Sequence, residues 1–526
     1  MNRKIKAFIL AAAILLPLIF VSCVASYGGY SPAAAYGGGY ECEEYNSGAE
    51  LRPQAAAPVL EVIGEPALGE IGETEGETEE KYHVGEGGEA DNTGEGADAD
   101  GESVYAESEP EPAEPLPPPA LSAEALLYDF DYLARILEEN FPFYGPARRK
   151  FGLDLHRQKT LARAAVANLD TTGSESQILR RFTDVLAEHI ITPMRSMGHI
   201  RGLWAGSDAH RIQLALIKLD GASEIPWYPN LYEGHLLEMF TSPAAIRYYG
   251  DIVLDAAAIS RILQASVRPN NVTFDIIQPG SVAYIRMHTM NFANFEQDGQ
   301  LIAAFGATIG GFDHLIIDLR GNTGGSASNF MQHIMAPLID EPASLFYYVF
   351  FKGGSHALMF DGIYYRDAKW QAANGLILHT DAPRFPVSDI LPYLPHANAA
   401  DFARLSYGFK REVIVNPSAS RWEFDGKIWI LIDGRTFSAS EISALLAKES
   451  GFATLVGAPT GGIFGGYTAA FIGLPNTGVI IRYDYGYVTD LQGRSLEEFG
   501  VEPHIRNRPG MNALETVLAL IAEGNY

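Results

Sequence analysis

Residues 314–325 read HLIIDLRGNTGG, and residues 427–441 read KIWILIDGRTFSASE. Each is a short apolar run that stops at a glycine-containing turn, and each is followed by a stretch with helical character. Runs of this length, rich in Ile and Leu and bounded by glycine, fit buried strands. Strand, glycine turn and helix, repeated, predict an α/β core. The reading places strands at Val282–Met287, His314–Leu319 and Lys427–Ile432, and helices from about Ser328 and over Ser440–Lys448.

The pattern changes toward the N-terminus. In LSAEALLYDFDYLARILEENF, Leu126, Phe130, Leu133 and Leu137 recur at spacings of four, three and four, one face of an amphipathic helix. Ser122 stands where an N-cap would, and a second helix is expected over Glu175–His189. Residues 121–200 therefore read as a helical region, 201–275 as a small mixed region broken by Pro226 and Pro229, and 276–526 as the α/β core. Residues 340–425 read as an insertion of weak pattern, whose aromatics Phe346, Tyr347, Tyr348, Phe350 and Phe351 suit a core better than a ligand groove.

Charge separates the rest of the chain. Residues 41–120 hold 23 of the 65 acidic side chains and two of the 38 basic ones, so most of the net charge of −27 sits there. Gly, Ala, Glu and Pro dominate residues 24–120, which cannot bury enough apolar surface to offset their ordering entropy. They read as a disordered acidic spacer. Residues 1–23 combine Arg3, Lys4 and Lys6 with an apolar run from Ala7 to Ser22 and end at Cys23, a lipoprotein-type secretory signal with Cys23 as the lipidated residue. The expected location is the extracytoplasmic face of a bacterial membrane, or outside the cell if the signal is an ordinary one. The acidic balance speaks against a nucleic-acid partner. Residues 121–526 contain no cysteine and no H-E-x-x-H spacing, so neither a disulfide nor a metal or other cofactor is expected in the folded part.

Three segments can carry chemistry. The Gly324–Gly325 turn can present backbone N–H groups to an oxyanion, although such a turn is also an ordinary connection. Ser438 lies at a strand-to-helix turn, where it suits a nucleophile; taken alone, Ser438-x-x-Glu441 reads first as a capping box. His199, after Gly198, suits a general base, one of 13 histidines.

Taken in order, Gly198-His199, DLRGNTGG, GRTFSASE and LEEFGVEPHI resemble the tail-specific, or carboxyl-terminal-processing, serine protease family over roughly residues 121–510. The resemblance implies a protease core of the ClpP/crotonase-like type, with Ser438 as nucleophile and an oxyanion hole from Ala439 and Gly324 or Gly325. A Ser-Lys branch of the family has lysine where Ile463 stands here, and isoleucine cannot take a proton. The tricorn-core-like Ser-His-Glu branch fits better, with His199 as base and Glu497 as its carboxylate; Glu498 is the neighbouring alternative. Met197 stands where that branch has Asp, and residues 201–275 lack a recognisable PDZ carboxylate-binding loop. The implied function is extracytoplasmic peptide-bond hydrolysis of proteins or peptides. The alternative is a non-catalytic protein binding a peptide or apolar ligand on the same fold.

Overall fold

The structure, a computed structural model, describes residues 121–524 except 195–196, 222–229, 253–254, 366–368, 373–375 and 466–468. The signal, Cys23 and the acidic spacer lie outside the described residues.

Four helices open the described chain: α1 (Ala123–Asn140), α2 (Tyr144–Phe151), α3 (Leu155–Ala167) and α4 (Glu175–Leu186), the last running on into a π-helical turn at Ala187–Ile191. The Ser122 hydroxyl accepts the Ala125 N–H at 3.1 Å, starting α1 as its sequence predicts. Leu126, Phe130, Leu133 and Leu137 are all buried. Asp129, on the same helix, is buried too, because its carboxylate accepts from Asn476 N–H (3.0 Å) and Thr477 N–H (2.7 Å) in the core. The helical region is thus bonded to the α/β region.

Residues 201–275 differ from the mixed reading. After the three-residue strand β1 (Arg201–Leu203) they fold mainly as helices, at Asp208–Gly221, Asn230–Phe240, Pro243–Tyr249 and Ala256–Ala265. The remaining elements used below are β2 (Val272–Gln278), β3 (Val282–Met287), β4 (His314–Asp318), β5 (Ala343–Phe351), β6 (Tyr407–Val415), β7 (Lys427–Ile432), α5 (Ala439–Glu449), β8 (Thr454–Gly457), β9 (Ala469–Gly473), β10 (Ile480–Asp484) and β11 (Ile505–Arg506).

The central sheet has the order β11-β8-β7-β4-β3-β2, parallel throughout except for the β2–β3 hairpin. Every residue of β4 is buried, as a parallel strand covered on both faces requires. Within residues 340–425, the insertion of weak pattern, β5 and β6 pair antiparallel along nine residues of a second sheet. Alternation there buries Tyr347 and Phe351 while Phe346 stays 37% exposed, with the Lys410 ammonium 4.2 Å from its ring centroid. The helix expected from Ser328 lasts one turn, then widens into a π turn at Met331–Met335.

Two features of this topology build the site. β4 and β7 are adjacent and parallel, so the GNTGG turn and the turn before Ser438 leave the sheet at the same edge. Parallel sheets gather ligand sites at the carboxyl ends of their strands for this reason. A separate three-stranded antiparallel sheet, β1-β10-β9, brings the chain just after His199 against residues 480–484.

Candidate active site

Ser438 begins α5 with φ 57° and ψ −122°, a strained conformation for a residue with a side chain. Its N–H donates to Ile463 O at 3.1 Å, and its carbonyl accepts from Glu441 and Ile442. The hydroxyl makes no cap bond, so the capping-box reading fails for this serine. Instead Ser438 Oγ lies 3.1 Å from Nε2 of His199. Five non-glycine residues among those described have positive φ, and three of them, His199, Ser438 and Ile463, meet here. Such strain concentrates at functional sites, where the surroundings hold it in place.

His199 Nδ1 is 2.5 Å from Oδ2 of Asp484, at the end of β10. A carboxylate only accepts, so Nδ1 carries the proton and Nε2 faces the serine with its lone pair. Burial pushes the Asp484 carboxyl up, but the adjacent His199, then Arg482 and Arg201, hold it below the usual range. Arg482 Nη2 is 3.9 Å from Asp484 Oδ1. The approach is enforced on the other side by Asp484 N–H, which donates to Gly198 O at 2.7 Å.

Glu497, the carboxylate expected against the imidazole, is buried nearby but does another job. One oxygen accepts the Gly198 N–H and the other the Phe464 N–H at 2.9 Å. Both oxygens therefore bind backbone amides, and the hydrogen bond at Nδ1 belongs to Asp484. Glu498 is turned away, held by Arg149 Nε at 2.9 Å and Nη2 at 2.7 Å. Burial raises the Glu497 carboxyl to about 7, offset in part by His199. Its folded value lies above the ordinary 4.5, so its contribution to stability is full below about pH 4.5 and is lost as pH rises through 7. The unfolding free energy of the wild type relative to Glu497→Gln is expected to fall over that window by up to about 3 kcal/mol. Denaturant titrations at several pH values measure this, and a flat difference rules it out.

The glycine turn is tied to the serine helix by Asn322. Its Oδ1 accepts from Ser440 Oγ (2.7 Å) and from Gly324 N–H (2.9 Å), while its Nδ2 donates to Met287 O at 2.9 Å. Phe437 N–H donates to Asn322 O at 3.1 Å. Gly324 sits so close to the serine that a Cβ on it would fall 2.8 Å from Ser438 Cβ, and a Cβ on Gly325 would fall 2.0 Å from Met290 O. Of the three amides expected to face an oxyanion, Gly324 is committed to Asn322. Met290 bridges the neighbours of Gly325, donating to Gly324 O and accepting from Ser326, so the Gly325 N–H lies outside that bridge. Asp318, read as structural, accepts Arg320 Nε at 2.9 Å and Nη2 at 2.7 Å and so braces the turn.

Sequence reasoning missed Asp484. The available signal was an Arg and an Asp two apart inside the apolar run VIIRYDY, where unpartnered charges are not expected. It also missed Lys150, and it read Glu441 only as a capping residue; both reach the loop after Thr460. Lys150 donates to Gly461 O at 2.6 Å and Glu441 accepts the Gly462 N–H at 2.7 Å.

Residues 281–507 match the family model of peptidase family S41. No curated protein matches the chain. Among solved structures, a putative peptidase from Parabacteroides merdae is 16% identical, with 76% of this chain and 96% of that chain covered and a TM-score of 0.39. Mature CPAF in complex with lactacystin is 13% identical over 77% and 97%, with a TM-score of 0.41. The photosystem II D1 C-terminal processing protease is 13% identical over 76% and 98%, with a TM-score of 0.35.

Proposed function

From a chain that belongs to peptidase family S41 and is a serine-type peptidase, we propose peptide-bond hydrolysis by Ser438, His199 and Asp484. The observation that carries this reading is the hydrogen-bonded line from Ser438 Oγ to Nε2 (3.1 Å) and from Nδ1 to Asp484 (2.5 Å).

A serine hydroxyl needs a positioned base at neutral pH. Nε2 of His199 takes the Oγ proton as Oγ bonds to the scissile carbonyl carbon, and the carbonyl electron pair moves onto oxygen. The Gly325 and Ala439 amides receive that oxyanion. Asp484 stabilises the imidazolium without itself taking the proton. The proton passes from Nε2 to the leaving nitrogen as the C–N bond breaks, leaving an ester on Ser438. Water then bonds to the ester carbon, giving its proton to Nε2, and the C–O bond to Ser438 breaks as Oγ recovers a proton. Glu497 does not touch the reacting atoms in this scheme; it joins the loop bearing His199 to the loop bearing Phe464. Ile463 at the position of a catalytic lysine supports a histidine base.

A fluorophosphonate probe tests the reading without a known substrate. One adduct is expected, on Ser438 by mass spectrometry, and none in folded His199→Ala. Folded wild-type protein that forms no adduct, or an adduct elsewhere, overturns the mechanism and favours a ligand carrier.

We also propose that Cys23 is acylated and holds the peptidase on the extracytoplasmic face of the membrane, with residues 24–120 as spacer. The basic start, apolar run and cysteine of residues 1–23 support this. An alkyne fatty acid fed to cells is expected to label the wild type and not Cys23→Ser. The variant should also leave the membrane fraction; a wild type without label refutes acylation, and a variant that stays in the membrane refutes the anchoring role.

A further inference from the structure

The loop Gly461–Gly465 forms one wall of the site and is held at several points. Gly461 N–H donates to Thr436 O (3.0 Å), Gly462 N–H to Glu441 (2.7 Å) and Phe464 N–H to Glu497 (2.9 Å), and Ile463 O accepts from Ser438 N–H (3.1 Å). Gly465 lies against the imidazole, since a Cβ there would fall 2.5 Å from His199 Cε1. The carbonyl of Gly461 is held from outside the core: Lys150 Nζ donates to it at 2.6 Å and to Glu497 O at 3.2 Å. Lys150 is on α2, so the N-terminal helical region supplies this grip.

We infer that Lys150 is a positioning residue for the proposed reaction, fixing the 461–464 loop against Ser438 and supplying the cation that keeps the Glu497 carboxylate beneath the His199 loop. Its neighbour Arg149 cannot substitute, because Asp401 and Glu498 already hold it, at 2.5 and 2.7 Å. Desolvation presses the Lys150 ammonium below its usual range, and Glu497, Glu441 and Glu498 oppose that. The titratable groups facing Glu497 are His199 and Lys150, which favour its ionisation, His199 when protonated, and Asp484, which disfavours it. Glu441 adds a further buried carboxyl beside Glu497 and Lys150, itself pushed well up by burial. Removing the Lys150 charge therefore raises the Glu497 value, and the two-amide grip on the loops survives only at higher pH.

The inference rests on the Ser438–His199 reading. The test uses the rate of fluorophosphonate labelling of Ser438 in the full chain, measured from pH 5 to 9. Lys150→Gln keeps an N–H donor, on a side chain one atom shorter, and removes the charge. It is expected to label roughly tenfold more slowly at pH 6, with its acid limb displaced upward by about one unit and the rate recovering above pH 8. On a Glu497→Gln background the same change should not move the limb. An unchanged limb, or a loss equal at every pH, overturns the inference. Should Lys150→Gln not fold, Lys150→Arg decides: a wild-type limb supports the charge role, and a displaced limb in folded protein overturns it. Wild-type protein that does not label at Ser438 refutes the mechanism instead, so the two failures are distinguishable.

Discussion

Asp484→Asn is expected to lower kcat by roughly 10³–10⁴-fold while leaving the fold intact. The carboxylate accepts the Nδ1 proton at 2.5 Å and so fixes which ring nitrogen faces Ser438. An asparagine amide can turn its NH2 toward Nδ1, which then accepts, placing the proton on Nε2 where the base is needed. Glu497→Gln keeps one acceptor for the backbone amides and should cost no more than roughly tenfold above pH 7. Steady-state kinetics of both variants on the same fluorogenic peptide settle the order. The reverse order returns the catalytic carboxylate to Glu497.

Removing the nucleophile gives the largest effect. Ser438→Ala and Ser438→Gly are each expected to lower turnover by ~10⁶-fold, as for nucleophiles that act within a coupled set. Their stabilities should differ. With φ at 57° and ψ at −122°, any residue with a Cβ is strained here, at about 1–3 kcal/mol. Glycine relieves the strain but loses about 0.5–1 kcal/mol through its freer unfolded chain. Ser438→Gly is therefore expected to be about 1 kcal/mol more stable than Ser438→Ala in side-by-side denaturant titrations. Equal stability, or a more stable alanine variant, removes strain from the account of the site.

The serine and the histidine were legible because local sequence marks them. Apolar runs ending at glycine turns locate β4 and β7, and the serine follows directly. The parallel pairing of those strands then joins the two turns without further instruction. Asp484 was not legible, because its place at the imidazole is created by β10 pairing with β1, 281 residues apart where Arg201 meets Arg482 by register, and no local pattern records it. Glu497 shows the converse. Its motif placed it beside the base, but whether a buried carboxylate binds a ring nitrogen or two amides depends on Gly198 and Phe464, which come from separate segments. The insertion reads as weakly patterned because β5 is apolar at most positions, hiding the alternation that its pairing with β6 reveals.

The distances along the chain between the site residues have a consequence for how the protein is made. His199 precedes Ser438 by 239 residues and Asp484 by 285. A chain synthesised from its N-terminus presents His199 first, Ser438 long afterwards and Asp484 later still. Until residues 480–484 emerge, with 480–482 pairing to 201–203, Asp484 cannot fix the tautomer of the proposed base. A partly made chain therefore lacks the hydrogen-bonded line on which the proposed reaction depends.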